Sequence, residues 1–505
     1  MKKFSFIILI IIFACLVYIV DNEKGWSQSF SKIPFEDSPF GISAPGKGPK
    51  SRWEDYITLL EDLNIHWVGA QSRTHGISWG DVQKSKDSPY DWSEIDNTIK
   101  ILQSKGINFF TTFYPLATWD LLSKFTKNEL KLKPSGFPVC RLPVDLETYS
   151  KFIEAVVERY DGDGNADMPG LRFPIRYWMS VSEPDNPREW DDTPENYAIL
   201  IKTMYKAIKR ADPYSKLVIH GSEGAIGGGV NAYETDGFFH RAFKKLKEIT
   251  PAEEYRDFIW GFHYTTDTGT YLISEDLIKS MNRLTKDFGF RLFPIWVTET
   301  GTFSGDLSYM RRGERSLPET GRDTRYFLKH PELGQRRGKS LSQTECQQAG
   351  DLVKRFVFNI AKGVKKVFWV RLVDSSFEVG PFKGVGLLTL DGEKKLSYYT
   401  YKFMIDKMEG CDWDKTKTMI AGEGNIYAYR FIKKGKEMYV AWRDTDKQER
   451  GKTLSLNISG PSSVKVTSFV PKSRNSFKTE VIPVEKGKVT IHLDETPVLI
   501  EEASS

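Results

Sequence analysis

Two glutamates end apolar runs of this sequence, at positions from which a carboxyl group could do chemistry. Glu183 stands in "RYWMSVSEPDNP" (176–187) and Glu299 stands in "PIWVTETG" (294–301). A charge is costly at the end of a buried strand, so each glutamate is either an ordinary loop residue or the group that its strand supports. Two carboxyl groups that face one space can divide the chemistry, one donating a proton and the other attacking as a nucleophile.

The elements that would position these glutamates are predicted from eight nearly continuous apolar runs. Such runs are typical of parallel strands that are covered on both faces. Helical patterns lie between most of them, and one begins at Thr193 and Pro194, a cap and first-turn pair. The alternation predicts an α/β fold, a (β/α)8 TIM barrel over residues 30–412. The runs are "FGISA" (40–44), "HWVGAQSR" (66–73), "NFFTTFYP" (108–115), "YWMSVSEP" (177–184), "KLVIHGSE" (216–223), "FIWGFHYT" (258–265), "PIWVTETG" (294–301) and "KKVFWVRLVD" (365–374).

The pattern of the sequence changes near residue 415. Short alternating runs such as "EMYVAWRD" and "GKVTIHL" are separated by Gly, Lys and Ser turns. This alternation is typical of half-buried antiparallel strands. It predicts a C-terminal antiparallel β-sandwich domain over residues 415–505.

The composition is that of an ordinary globular protein, with 40% hydrophobic and 28% charged residues. The net charge of +5 forms no Lys/Arg stripe that would follow phosphates, so nucleic-acid binding is not expected. Cys140, Cys346 and Cys411 form neither a disulfide framework nor a zinc motif, although one bridge between two of them stays open. The sequence specifies no oligomeric state.

The N-terminus predicts export. A basic "MKK" precedes an apolar stretch in which Ser5 is the polar residue. We therefore assign residues 1–25 to a signal peptide or membrane anchor. A cleaved signal, a lipidated protein attached to the membrane and a retained anchor all remain open, and the expected location is extracytoplasmic, secreted or membrane-anchored.

Barrel topology would bring the two glutamates together. Barrel active sites lie at the C-terminal ends of the strands, and strands four and seven face each other across the mouth. Glu183 and Glu299 would then flank a scissile glycosidic bond, with one protonating the leaving oxygen and the other attacking the sugar carbon.

The sequence resembles the clan A glycoside hydrolases, nearest to family 39 and its relatives, over most of residues 40–410. The likeness rests on "SEPD" (182–185), "VTETG" (297–301), "SPYDWSEID" (88–96) and "GVGLLTLDGEKKLSYYTYKFM" (384–404). It implies that Glu183 is the acid/base, that Glu299 is the nucleophile and that no cofactor is required. Retention of anomeric configuration would place the two carboxyl groups about 5–5.5 Å apart.

The resemblance also implies a set of substrate-binding residues. In the family, an arginine near the position of Arg73 steadies the nucleophile carboxylate. The alternative for Arg73 is an ion pair with a structural acid at the barrel rim. Ser182 departs from the asparagine that usually binds the sugar 2-hydroxyl, which leaves the substrate class and the activity open. The remaining candidates, each weighed against a packing role, are His75 and Trp119 near the mouth, His263 and Tyr264 on strand six, and Trp369 as a sugar platform.

Two other segments invite functional interpretations. Asp161, Asp163, Asn165 and Asp167 have EF-hand spacing, but Ala166 and Arg172 stand where glycine and glutamate are needed. We interpret this segment as a solvated turn and predict no metal. The Arg-rich insertion within residues 302–340 is read as a solvated flap, with a clamp for acidic polysaccharide as the alternative.

The sequence therefore predicts an exported retaining glycoside hydrolase that cleaves β-glycosidic bonds of an oligo- or polysaccharide. One alternative is a catalytically inactive, polysaccharide-binding barrel in cell-surface polymer assembly, which Ser182 favours. The other is a transglycosylase that uses the same site.

Overall fold

Eight parallel strands form a closed barrel in the computed structural model of the protein. Strand β1 pairs with both β2 and β8, and this pairing closes the ring. The strands are β1 Phe40–Ile42, β2 Trp67–Ala70, β3 Asn108–Tyr114, β4 Tyr177–Met179, β5 Lys216–Glu223, β6 Phe258–Thr265, β7 Ile295–Gly301 and β8 Lys366–Trp369. The structure describes residues 32–45, 52–73, 75–130, 139–223, 229–265, 271–306, 342–375, 383–444, 452–458 and 460–503. The predicted TIM-barrel fold is confirmed.

One principal helix follows each barrel strand. Thr193 caps α4 by accepting a hydrogen bond from the Asn196 backbone N–H, and Pro194 occupies the first turn, as the sequence predicted. The helices are α1 Ile57–Asp62, α2 Ser93–Ser104, α3 Leu146–Tyr160, α4 Pro194–Ala211, α5 Phe238–Ile249, α6 Ile273–Asp287, α7 Glu345–Ala361 and α8 Leu396–Met408.

Shorter elements connect these units. A strand at Ile77–Ser78 pairs with β3, and Gly305–Asp306 pairs with Ser342–Gln343 in an antiparallel ribbon. One-turn helices cover Trp79–Val82 and Thr118–Leu121, and 3-10 turns cover Trp53–Tyr56, Gly229–Tyr233, Ala252–Glu254, Trp413–Lys415 and Glu423–Asn425.

Large apolar side chains fill the lower part of the barrel interior. Gly41 and Gly69 make room for them, because a Cβ at either position would lie 2.3 Å from the Phe368 or Phe110 ring. The interior cluster comprises Ile33, Trp67, Phe110, Tyr177, Met179, Val218, Ile259, Trp296 and Phe368. The polar residues that face the interior therefore lie at the opposite end of the barrel, at the C-terminal ends of the strands.

Antiparallel strands follow the barrel, as predicted. Six strands form one sheet in the order β9-β10-β11-β16-β13-β14, and β12 pairs with β15. The strands are β9 Lys417–Ala421, β10 Ile426–Lys433, β11 Lys436–Arg443, β12 Lys452–Asn457, β13 Ser463–Ser468, β14 Thr479–Pro483, β15 Lys488–Leu493 and β16 Val498–Glu502. Asp444, just after β11, joins this region to the barrel by accepting hydrogen bonds from Lys354 and Tyr271. The predicted domain limits remain predictions.

Two predictions fall partly or wholly outside the described residues. These are the N-terminal export segment and most of the Arg-rich insertion.

Within the described part of the chain, no helix has the length and apolar character needed to cross a membrane. Among the described residues, Cys140, Cys346 and Cys411 form no disulfide bond.

Candidate active site

Glu183 lies just beyond the end of β4, and its carboxyl group has partners on both oxygens. Its Oε1 is 2.9 Å from Nδ1 of His263, and its Oε2 accepts a hydrogen bond from Asn186 at 3.1 Å. The side chain is 19% exposed, so it is accessible without being fully solvated. Its backbone has φ = 48°, a left-handed conformation that is uncommon for residues other than glycine. Such a conformation at a strand end suggests a functional position.

His220 supports the backbone of Glu183. Its Nδ1 atom lies 3.0 Å from the Glu183 backbone nitrogen and 2.6 Å from the Gly221 carbonyl oxygen. The His220 ring is fully buried and packs edge-on against His263, with ring centroids 4.1 Å apart. Burial lowers the pKa of His220 well below its usual value, so the ring is neutral. Sequence reasoning gave His220 no specific role, and its place at the end of β5 was the available signal.

His263 connects Glu183 to Gln71. Its Nε2 atom is 2.7 Å from Oε1 of Gln71, and the imidazole is only 3% exposed. Burial lowers the pKa of His263 to about 3. Gln71 in turn donates from Nε2 to the carbonyl oxygen of Thr298. A chain of contacts therefore crosses the barrel interior from β7 through Gln71 and His263 to Glu183.

Glu299 is positioned by the register between β6 and β7. It is the register partner of His263, at a point where the pairing shifts after Phe262. Its neighbour Thr300 accepts a hydrogen bond from Arg355 of α7 and so faces the helix layer. Because adjacent strand residues face opposite ways, Glu299 faces the barrel interior, on the same side as His263. The structure thus brings Glu183, His263 and Glu299 to one end of the barrel.

Arg73 contacts the loop that follows β4. Its Nε lies 3.0 Å from Oε2 of Glu189, and its Nη2 donates to the Glu189 carbonyl oxygen at 3.1 Å. These contacts correspond to the predicted alternative of a rim ion pair. The role of Arg73 at Glu299 remains a prediction.

The other mouth candidates occupy different settings. His75 is half-buried, with Nδ1 2.6 Å from the Ser72 hydroxyl. The Trp119 indole N–H donates to the Gln83 carbonyl oxygen at 2.9 Å, and its ring packs against Trp79. The side chain of Trp119 is therefore partly buried against the core. Ser182 directly precedes Glu183 and is 7% exposed. Their substrate contacts remain predictions.

Tyr264 does not fit the predicted substrate-binding role. Its ring is fully buried, and its hydroxyl accepts a hydrogen bond from Asn359 of α7 at 2.6 Å. The Arg355 guanidinium lies 4.9 Å from the ring centroid. Tyr264 therefore faces the helix layer, because it follows the inward-facing His263 on the same strand.

Trp369 also faces the helices, which corrects its prediction as a sugar platform. It is 0% exposed, and its indole N–H donates to the Val385 carbonyl oxygen at 3.0 Å. Phe368, the preceding residue, belongs to the interior cluster. Strand alternation then turns Trp369 outward, where it forms part of the core between the barrel and its helices.

The acidic turn after α3 has a compact geometry. Carboxylate oxygens of Asp161, Asp163 and Asp167 lie within 4.8 Å of one another. Asp167 accepts hydrogen bonds from the backbone N–H groups of Gly162 and Gly164 at 3.0 and 2.8 Å. Backbone donors thus satisfy carboxylates of this turn, in keeping with its interpretation as a turn.

Comparison of the structure with known proteins finds glycoside hydrolases. A family 39 glycoside hydrolase from the gut symbiont Bacteroides cellulosilyticus WH2 is 14% identical, with a TM-score of 0.61, over 94% of this chain and 82% of that one. A family 30 endoxylanase from Clostridium papyrosolvens C71 is 14% identical, with a TM-score of 0.52, over 92% and 96% of the two chains. A family 51 α-L-arabinofuranosidase from Thermotoga petrophila RKU-1 is 10% identical, with a TM-score of 0.55, over 89% of each chain.

The chain has the fold of these glycoside hydrolases. The predicted resemblance to clan A is thereby confirmed at the level of the fold. No family model matches the sequence, and no curated protein matches it.

Proposed function

We propose that the protein is a retaining glycoside hydrolase that cleaves β-glycosidic bonds of an oligo- or polysaccharide. The observation that carries the proposal is the contact of Glu183 with His263, which is itself the register partner of Glu299. Both glutamates lie at the C-terminal end of the barrel, where barrel enzymes bind substrate, and this position supports their proposed roles as acid and nucleophile.

The first chemical step follows from this arrangement. Glu183 gives its proton to the glycosidic oxygen while a carboxylate oxygen of Glu299 attacks the anomeric carbon. The carbon–oxygen bond to the leaving group breaks, and an ester between the sugar and Glu299 forms. No cofactor enters this step, because the two carboxyl groups supply both the proton and the electron pair.

The second step reverses these roles. Glu183, now ionised, takes a proton from water, and the water oxygen attacks the anomeric carbon. The ester bond breaks, Glu299 returns as a carboxylate and the sugar is released with its original configuration. Glu183 must therefore bind and release one proton in each cycle, and its half-buried position between His263 and Asn186 suits such a group.

The test is hydrolysis of a panel of aryl β-glycosides and polysaccharides by the wild type, Glu183→Gln and Glu299→Gln. We expect Glu299→Gln to abolish turnover of every substrate. We expect Glu183→Gln to lose about 10²–10⁴-fold in rate on substrates with poor leaving groups. Glu195→Gln is a matched control, because Glu195 forms an ion pair with Arg241 on the helix surface.

Product analysis separates this proposal from its alternatives. NMR of the first-formed product should show the same anomer as the substrate. Polysaccharide binding without any hydrolysis across the panel would instead favour an inactive binding barrel, for which Ser182 is the sequence feature. Products longer than the substrate would identify a transglycosylase.

We also propose that residues 1–25 direct the protein across the cytoplasmic membrane. The support is the basic start and apolar stretch of the sequence. Cell fractionation of the full chain tests this, and recovery in the cytoplasm alone would contradict it. Mass spectrometry of the mature N-terminus would distinguish a cleaved signal, a lipidated cysteine and a retained anchor.

A further inference from the structure

The side-chain amide of Gln71 has a defined orientation. Its Nε2 faces the carbonyl oxygen of Thr298, an atom that only accepts hydrogen bonds. A flipped amide would set two acceptors against each other in a buried site, since Gln71 is itself buried. The Gln71 backbone is held as well, because the Tyr114 hydroxyl donates to its carbonyl oxygen. Oε1 of Gln71 therefore faces His263.

This orientation determines which nitrogen of His263 carries the proton. Nε2 of His263 lies 2.7 Å from Oε1 of Gln71, so Nε2 must be the donor. A neutral imidazole has one N–H group, and Nδ1 is then left with a lone pair. Burial favours the neutral ring, lowering the pKa of His263 to about 3.

The lone pair on Nδ1 faces Glu183. Nδ1 and Oε1 of Glu183 are 2.9 Å apart, and two unprotonated acceptors at that distance repel each other. The contact is favourable when a proton lies on Oε1 of Glu183. Asn186 donates to the other oxygen, Oε2, so the two carboxyl oxygens are distinguished by their partners.

We propose that Gln71 is a positioning residue that holds His263 in its Nε2–H tautomer, so that Glu183 keeps its proton on Oε1 in the resting enzyme. This inference rests on the proposed function and deepens it. After Glu183 protonates the leaving group, its carboxylate faces the Nδ1 lone pair again. That repulsion favours recovery of a proton from water in the second step.

Other titratable groups surround this relay. His220 of β5 packs against His263 and contacts the Glu183 backbone. Tyr114 of β3 lies on the Gln71 side, and Glu299 of β7 is in register with His263. The ion pair between Arg73 and Glu189 joins the segment after β2 to the loop that follows Glu183, with Nε of Arg73 3.0 Å from Oε2 of Glu189. Among these groups, Glu299 also favours a protonated Glu183 when it is ionised, because like charges repel.

The first test measures the tautomer directly in the wild-type protein. Histidine ring nitrogens labelled with 15N report whether each ring is Nδ1–H, Nε2–H or doubly protonated. The chain has 7 histidines, and loss of one set of signals in His263→Asn assigns that residue. We expect the neutral Nε2–H form of His263 between about pH 5 and pH 8. An Nδ1–H tautomer or an imidazolium in that range would overturn the proposal.

The second test uses Gln71→Met, which keeps the side-chain volume and removes the acceptor. His263 is then free to donate from Nδ1 to an ionised Glu183, which stabilises the carboxylate. We expect the alkaline limb of kcat/KM to move to lower pH by about one unit, a tenfold loss on that side of the profile. The loss should appear with substrates that have poor leaving groups. It should disappear with dinitrophenyl glycosides, because dinitrophenolate leaves without being protonated.

Gln103→Met is the matched control, because Gln103 is a buried glutamine that bonds Phe173 and Arg172 away from the barrel mouth. It should change stability and leave the pH profile in place. An unshifted alkaline limb in Gln71→Met, or an equal loss at every pH with both kinds of leaving group, would contradict the proposal. If no glycoside is hydrolysed, the proposed function fails, while the tautomer of His263 still tests the role of Gln71.

Discussion

The imidazole of His263 contacts the carboxyl group of Glu183 at 2.9 Å, although 80 positions separate the two residues in the chain. Barrel closure brings them together, and the contact makes His263 a buried partner of the proposed acid. The consequences for kinetics and stability can be measured separately.

Replacing His263 should weaken proton donation. In His263→Asn the acceptor that favours a protonated Glu183 is gone, and an amide that can donate replaces it. We expect kcat/KM to fall at least about tenfold for poor leaving groups, with little change for dinitrophenyl leaving groups. Steady-state kinetics with a series of aryl glycosides of increasing leaving-group pKa checks this. A parallel loss across the whole series would show that the residue only supports the fold.

Tyr264→Phe should behave differently, although it changes the adjacent residue. The variant removes a hydroxyl that accepts a hydrogen bond from Asn359 in the layer between β6 and α7. We expect the free energy of unfolding to fall by about 1–2 kcal/mol and kcat/KM to stay unchanged. Urea unfolding and steady-state kinetics provide the two readouts. A selective rise in KM at unchanged stability would restore the substrate role predicted from the sequence.

The protein should lose stability as the pH falls below about 6.5, the ordinary pKa of histidine. Burial lowers the pKa of His66 to about 4 and that of His263 to about 3. From pH 6.5 down to those values, the unfolded chain binds protons that the folded chain excludes. The free energy of unfolding should therefore decrease with falling pH, by about 1.4 kcal/mol per histidine per pH unit.

Urea unfolding at several pH values checks this dependence. His263→Asn should reduce its slope. His492→Asn is the matched control, because it makes the same substitution at an exposed position of β15. A slope that is equal in wild type and His263→Asn would show that His263 is protonated in the folded protein.

Arg73 and Glu189 should act as one unit. Arg73→Met leaves the Glu189 carboxylate without its cation, and Glu189→Gln leaves the Arg73 guanidinium without its anion. Both groups are partly buried, so we expect each variant to cost about 1–3 kcal/mol of stability. The double variant should cost less than the sum of the two. A double-mutant cycle measured by urea unfolding checks this.

The same variants distinguish the two roles considered for Arg73. If Arg73 mainly positions the loop after β4, both single variants should lower kcat/KM to a similar extent, and this is what we expect. A much larger loss in Arg73→Met than in Glu189→Gln would instead support direct action on Glu299.

Ser182 should contact the sugar, because it directly precedes Glu183 at the barrel mouth. We expect Ser182→Ala to lower kcat/KM by about five- to tenfold, the value of one hydrogen bond. The loss should vanish with 2-deoxy glycosides if the 2-hydroxyl is the group bound. An equal loss with both substrates would assign Ser182 a packing role.

Local sequence patterns predicted the barrel and its two proposed catalytic glutamates. Apolar runs, turn residues and the Thr193–Pro194 cap each encode a local preference that survives folding. Glu183 and Glu299 were found because a carboxylate at the end of a buried strand is a local anomaly. A strand end can be read from neighbouring residues alone.

Tertiary structure alone decided which side chains face the interior. Barrel strands are apolar on both faces, so their sequence does not reveal whether odd or even positions point inward. Which positions point inward depends on strand register, including the shift after Phe262. In the folded barrel His263 points inward and Trp369 points outward. Gln71 is an ordinary polar residue in its own segment, and it acquires its partners His263 and Thr298 only when the barrel closes.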